Sequence, residues 1–180
     1  RVHPFTVEAQ IARSRDEVFE YLADIANHAE FTDHFLKEWR MTREETYGVG
    51  AGGRYDADIP FTRFSWGDCT IVDADRPQAL VLQGRTGKYN RIRTLTVFEL
   101  REGPGGGTRI AVTVETQPRY PTDRFLESLG QRRALKRGWR KALRRLQGIL
   151  EEGRGRGARA TIAGGPRKPA TGLRVREPIT

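Results

Sequence analysis

Asp68 is the residue whose type and setting first suggest chemistry. In the run 65–73 it shares one predicted strand face with Trp66, Thr70 and Val72, opposite Gly67, Cys69 and Ile71. A carboxyl among apolar neighbours has its pKa raised and can shuttle protons. Arg93 or Arg91, on a later strand, would polarise a ligand carbonyl or pair with that carboxyl. Against this stands the reading that Asp68 lies at an exposed strand end, or that the alternation is out by one residue.

Other constellations argue for less. His3, His28 and His34 are the three histidines. His28 and His34 lie near Asp24, Glu30 and Asp33, but their spacing of six places them on different helical faces, so no metal site is assigned. The single cysteine, Cys69, excludes an internal disulfide and a cysteine-built zinc centre, and on a strand without a neighbouring His it reads as a buried inert thiol. The Gly-rich run 103–107 is a hairpin tip and not a phosphate cradle. No cofactor is expected. With one cysteine, no secretory signal in the sequence and no run of 18 apolar residues, a cytoplasmic protein without a transmembrane segment is expected.

The elements that must position any site follow from periodicity. Residues 121–153 carry Phe125, Leu126, Leu129, Leu135, Trp139, Ala142, Leu143, Leu146, Ile149 and Leu150 at intervals of three and four, which predicts one helix with one buried stripe. Thr122 or Asp123 is the expected cap after Pro121, and Gly153 the expected stop. About 30 residues at 1.5 Å each give a rod of roughly 45 Å, which must lie across a large apolar surface. The preceding chain supplies it. A first strand at 6–11 is followed by a Ser14/Glu17 capping box and a short helix, then by a second short helix opened by Asn27 and Glu30. Six alternating segments follow: 36–46, 54–60, 65–73, 79–85, 91–100 and 108–117. Short turns between them imply an antiparallel meander. The prediction is an α+β fold with a curved sheet of about seven strands gripping the long helix.

Charge is unevenly placed. Of the net +9, residues 153–180 hold seven Lys/Arg and one Glu, which leaves +3 for 1–152. Eight basic residues and no acid fall between Arg132 and Arg145, so the rest of the domain is near −5. The basic helix face (Arg132, Arg133, Lys136, Arg137, Arg140, Lys141, Arg144, Arg145) and the tail would suit an anionic partner, nucleic acid or lipid headgroups; a merely solvated face is the alternative. The composition of 153–180, rich in Gly, Pro and Arg and without aromatics, predicts a disordered basic tail after a domain of residues 1–152.

Three stretches resemble one family. VEAQIARSRDEVFEYLADIANHAEF (7–31), GVGAGGRY (48–55) and TVFELREGPGGGTRIAVTVE (96–115) are similar to the opening strand and helix, the turn into the third strand and the penultimate hairpin of the START-like, or Bet v 1-like, superfamily, in particular its bacterial polyketide cyclase/dehydrase branch. The resemblance spans about 6–152. It implies a helix-grip fold enclosing a deep hydrophobic cavity, with the two short helices closing one end. Members bind lipids, sterols, polyketides or other apolar molecules, and a minority catalyse cyclisation or dehydration there. The expected function is therefore binding of a hydrophobic small molecule, with a polyketide aromatase/cyclase or dehydratase as the alternative. The expected lining is Trp39, Tyr55, Ile59, Trp66, Leu82, Phe98, Val112, Leu129 and Trp139, with Asp68 and Arg93 orienting the ligand. For the aromatics, filling the core between sheet and helix is an equal expectation.

Overall fold

A computed structural model describes residues 3–61, 65–153, 157 and 159–162. The chain forms β1 (Phe5–Ile11), α1 (Arg15–Ala23), a 3₁₀ turn (Ile25–Asn27), α2 (His28–Thr32), and six strands: β2 (Leu36–Met41), β3 (Gly52–Ala57), β4 (Trp66–Asp75), β5 (Ala79–Thr86), β6 (Ile92–Glu102) and β7 (Thr108–Gln117). A helical segment from Pro121 to Glu152 ends the fold. The seven strands form one antiparallel sheet in the order β1-β7-β6-β5-β4-β3-β2. This is the predicted α+β helix-grip architecture, with the sheet curled around the C-terminal helix.

Local chemistry explains the opening elements. Ser14 accepts from the Glu17 N–H while the Glu17 carboxylate accepts from the Ser14 N–H, so the capping box at α1 is complete. The second expected box does not form. Asn27 makes no side-chain cap, Asp24 instead caps the 3₁₀ turn through the Ala26 N–H, and Glu30 is fully buried, accepting from the Tyr21 hydroxyl.

The sheet bends where its inner face carries glycine. A Cβ on Gly84 would stand 1.8 Å from the Asp68 carbonyl oxygen, and one on Gly67 would stand 2.9 Å from the Tyr55 ring. These contacts set the phase of β4 opposite to the predicted one. Gly67, Cys69 and Ile71 face the core, and Trp66 and Val72 are 42% and 43% exposed on the outer face. At so tight a bend the concave side has room only for small side chains, so Trp66 is excluded from it. The second strand also stops at Met41, short of the predicted 46, after a bulge at Glu38, whose φ is +54°.

The long C-terminal helix spans Pro121–Glu152, as expected, but it is not regular throughout. A short α3 (Pro121–Leu126) runs into a π turn (Glu127–Gln131) and then α4 (Arg132–Glu152), with Gly130 at φ +131°. Neither Thr122 nor Asp123 caps α3; Tyr120 holds the N-cap position with no side-chain bond. Gly153 ends α4 in the left-handed region, as expected. The extra residue of a π turn rotates what precedes it by about 100° around the axis. Phe125 and Leu129, assigned to the buried stripe, are therefore 62% and 49% exposed, and Asp123, Glu127 and Gln131 take the inner face.

From Leu135 onward the stripe holds. Trp139 meets Phe35 and Phe98 edge-on at 5.6 and 5.9 Å, Trp39 packs against Tyr55 at 5.0 Å with the rings tilted, and the Trp39 indole N–H donates to the Thr32 hydroxyl. Beyond Gly153 the described residues pack against the domain. The Gly157 N–H donates to the Glu30 carbonyl, the Ala160 N–H to that of Ala26, and the Met41 N–H to that of Thr161, which covers the β2 edge. Arg159 pairs with Asp24. Residues 157 and 159–162 thus lie against the domain beyond the expected boundary at 152, and the rest of the expected disordered tail lies outside the described residues. Two members of the basic face also have structural partners. Arg132 donates to the carbonyls of His3 and Pro4, and Arg145 to Asp33 and the Glu30 carbonyl. Among the described residues no helix is long and apolar enough to cross a membrane.

Candidate functional site

A space between sheet and helix lies beside the π turn, at the end of the molecule formed with the β3–β4 loop and the β5–β6 connection, here termed the mouth. A cavity of about 40 Å³ is enclosed by Phe5 and Val114 of the sheet, Ile59 of the β3–β4 loop, and Glu127, Gln131 and Leu135 of the helical segment. A vestibule of about 260 Å³ adjoins it and shares Ile59, Thr86, Ile92 and Gln131 with it. The outer wall of the vestibule is formed by Phe61, Arg91, Asp123 and Leu126. Phe61, Tyr89, Phe125 and Leu129, on the loops and helix that form this end of the molecule, are all exposed.

Three polar contacts hold the mouth. Arg91 donates twice to the Asp123 carboxylate, at 2.7 and 2.6 Å, and its guanidinium lies 4.7 Å from the centre of the Tyr120 ring. The Gln131 side-chain amide donates to the Pro60 carbonyl at 2.9 Å, joining the π turn to the β3–β4 loop. Arg132 lies over the Phe5 ring while holding the chain at His3 and Pro4.

Glu127 is the chemically unusual group. It is 7% exposed, and its Oε2 is buried with no hydrogen-bond partner among the described residues. Burial raises the pKa of its carboxyl above the ordinary glutamate value, and the negative charge of Asp123 adds to this; a hydrogen bond with Thr116 and the charge of Arg132 oppose it. A carboxyl so placed is disposed to give or take a proton, or to bond a polar group that arrives in the cavity.

Of the sequence-predicted lining, Ile59 stands in both spaces. Trp39, Leu82, Phe98, Val112 and Trp139 are buried core residues that line neither, and Tyr55 is half-buried against that core. Trp66 and Leu129 are exposed. Asp68 lies on the outer sheet face, accepting from the Arg85 N–H at 2.9 Å, and Arg93 is exposed on β6 opposite Gln117. Asp68 and Arg93 are therefore not brought together in a pocket. Sequence reasoning missed Glu127, Asp123 and Gln131. Their spacing of four beside Gly130 was the available signal, a polar stripe running alongside the apolar one.

The remaining candidates have structural settings. The His28 ring is buried, donates to the Leu22 carbonyl at 2.7 Å and packs on Phe31 and Phe98. His34 bonds the Gly138 carbonyl at 2.9 Å. The Cys69 thiol is buried and its pKa is pushed up to about 12, chiefly by desolvation, so it is inert as a nucleophile.

Residues 3–151 match the family model described as polyketide cyclase / dehydrase and lipid transport, and the chain belongs to that family. No curated protein matches it. Among solved structures, norcoclaurine synthase from Thalictrum flavum is similar at 11% identity over 83% of this chain and 94% of that one, with a TM-score of 0.63. The Mll3558 protein from Rhizobium loti is similar at 22% identity over 82% and 96%, with a TM-score of 0.55. DynU16, from the dynemicin biosynthetic locus, shares 19% identity over 87% of this chain and 51% of its own, with a TM-score of 0.56. At these identities the likeness is one of fold.

Proposed function

We propose that this protein binds a small apolar molecule at the mouth end of the sheet–helix interface. The observation that carries the reading is the vestibule and its inner recess, where Ile59, Ile92, Val114 and Leu135 form apolar walls around one buried, incompletely bonded carboxyl. Sites of this kind are mostly apolar with a few convergent polar groups, and about 300 Å³ is the lower end of their usual size. The vestibule, at about 260 Å³, suits a compact ligand that reaches into the recess better than a long acyl chain. Family membership supports the same class, since the family's description joins polyketide chemistry with lipid transport.

The enzymatic alternative, a cyclase or dehydratase, is favoured by the raised pKa of Glu127. Such chemistry needs a carboxyl that can hold and release a proton, and Glu127, whose proton burial helps to retain, takes the place first given to Asp68.

Native mass spectrometry of the purified protein, followed by extraction of bound material, tests the binding reading. An apolar adduct present on the wild type and lost from Ile59→Trp, which fills both spaces, is the expected result. An adduct retained undiminished by a folded Ile59→Trp protein would place the ligand elsewhere and overturn it.

A further inference from the structure

The helical segment facing the recess carries an arrangement that a purely apolar ligand does not use. A π turn at Glu127–Gln131 rotates Asp123, Glu127 and Gln131 inward together. Two of the three have partners: Asp123 accepts two hydrogen bonds from Arg91, and Gln131 donates to the Pro60 carbonyl. Glu127 lies near Thr116, but its Oε2 has no hydrogen-bond partner among the described residues, and the residue forms part of the recess wall. Leaving a buried carboxyl oxygen unbonded is unfavourable, whereas a ligand donor would complete it.

Charge decides which donor suits the place. The lining already carries more cations than carboxylates: Lys88, Arg91 and Arg132 against Asp123 and Glu127, with Arg91 paired to Asp123. An ammonium would add a further positive charge beside Arg132 in a weakly solvated space. A neutral hydroxyl adds none, and it can pair with the carboxyl whether that group is ionised or protonated, since a hydroxyl both donates and accepts.

We infer that the ligand is a neutral, compact apolar molecule bearing a hydroxyl, phenolic or alcoholic, and that Glu127 Oε2 is the group that recognises it. This rests on the binding site proposed above and deepens it. Glu127 is on this view a specificity-determining residue. It discriminates a hydroxylated ring system from the same ring system without the hydroxyl.

A matched pair of probes tests this: 2-naphthol and 2-methylnaphthalene, titrated calorimetrically into the full chain. The wild type is expected to bind 2-naphthol about tenfold or more tighter, the range of one hydrogen bond to a carboxyl. Glu127→Leu is expected to abolish that preference while still binding 2-methylnaphthalene, and Glu127→Gln, whose amide oxygen accepts, to retain part of it. Equal affinity of the wild type for both probes overturns the inference and leaves the apolar site standing; it is also the result expected if Oε2 is served by a buried water. Binding of neither probe overturns both. Should Glu127→Leu fail to fold, the wild-type comparison and Glu127→Gln decide the matter.

Discussion

Arg91 and Asp123 join the β5–β6 connection to α3 through two parallel hydrogen bonds of 2.7 and 2.6 Å. Asp123 is 7% exposed, so its carboxylate depends on that guanidinium for its solvation. The pair closes the outer wall of the vestibule, where the helical segment has no aromatic anchor comparable to Trp139. Replacing Arg91 by Met keeps the stem and leaves a buried carboxylate uncompensated. The expected outcome is a lower Tm together with faster amide exchange across residues 121–131, read by hydrogen-exchange mass spectrometry. Unchanged exchange there would show that the pair does not hold this wall.

Glu127 sets a pH dependence of the opposite sign to an ordinary salt-bridged carboxylate. Its folded pKa lies above the unfolded value near 4.5, so the native state holds the proton more tightly. The favourable contribution is full below 4.5 and is lost as pH rises through the folded pKa. Glu127→Gln removes that loss, and chemical denaturation is expected to find the variant more stable than wild type at pH 7 and indistinguishable at pH 4. A variant less stable at pH 7 would contradict this account of the carboxyl.

His28 acts at the acid side. Desolvation lowers its imidazole from 6.5 to about 4, against the Leu22 hydrogen bond and the charge of Asp24, which pull upward. The unfolded chain binds the proton between these values and the native state does not. Stability is therefore complete above 6.5 and falls as pH drops toward 4, by roughly 3 kcal/mol. His28→Gln retains a donor for the Leu22 carbonyl and should flatten the wild-type slope of unfolding free energy between pH 4 and 6.5.

Gly138 lies under the Phe35 ring. A Cβ there would stand 2.4 Å from the ring, closer than side chains pack. Alanine has a helix propensity better by about 1 kcal/mol, yet overpacking costs typically 1–3 kcal/mol. Gly138→Ala is expected to lose about 1 kcal/mol net and to shift the near-ultraviolet signal of Trp139, which touches the same ring. A gain in stability would mean that Phe35 has room to move.

Trp66 separates the two versions of the pocket, and Ile59 belongs to both. Trp66 stands on the outer face of β4, and Ile59 stands in the recess and the vestibule. Trp66→Ala is expected to leave 2-naphthol affinity unchanged, whereas Ile59→Trp should abolish binding. Loss of binding in Trp66→Ala would restore the β4 phase predicted from the sequence.

Element types and order were legible because they rest on local signals. The Ser14/Glu17 box, the alternation in β5 to β7, the i, i+3, i+4 stripe from Leu135 to Leu150 and the stop at Gly153 each draw on neighbours within a turn or a strand. Those signals, with the three stretches that resemble the family, were sufficient for the helix-grip fold. They also marked Ile59 as inward.

What only the tertiary structure decided was which face of two elements looks inward, and where residues beyond Gly153 lie. On β4, Gly67 and Cys69 took the concave side because the Tyr55 ring and the turn of the sheet at Gly84 leave no room there for Trp66, and no alternation pattern records such a neighbour. In the C-terminal segment one extra residue in the π turn exchanged Phe125 and Leu129 for Asp123 and Glu127. Beyond Gly153, a composition that looked disordered found hydrogen bonds at the carbonyls of Glu30 and Ala26. On β4 and beyond Gly153 the deciding partner lies on another element, and in the helix it is a break in the repeat itself; periodicity assumes an unbroken element and reports only on that element.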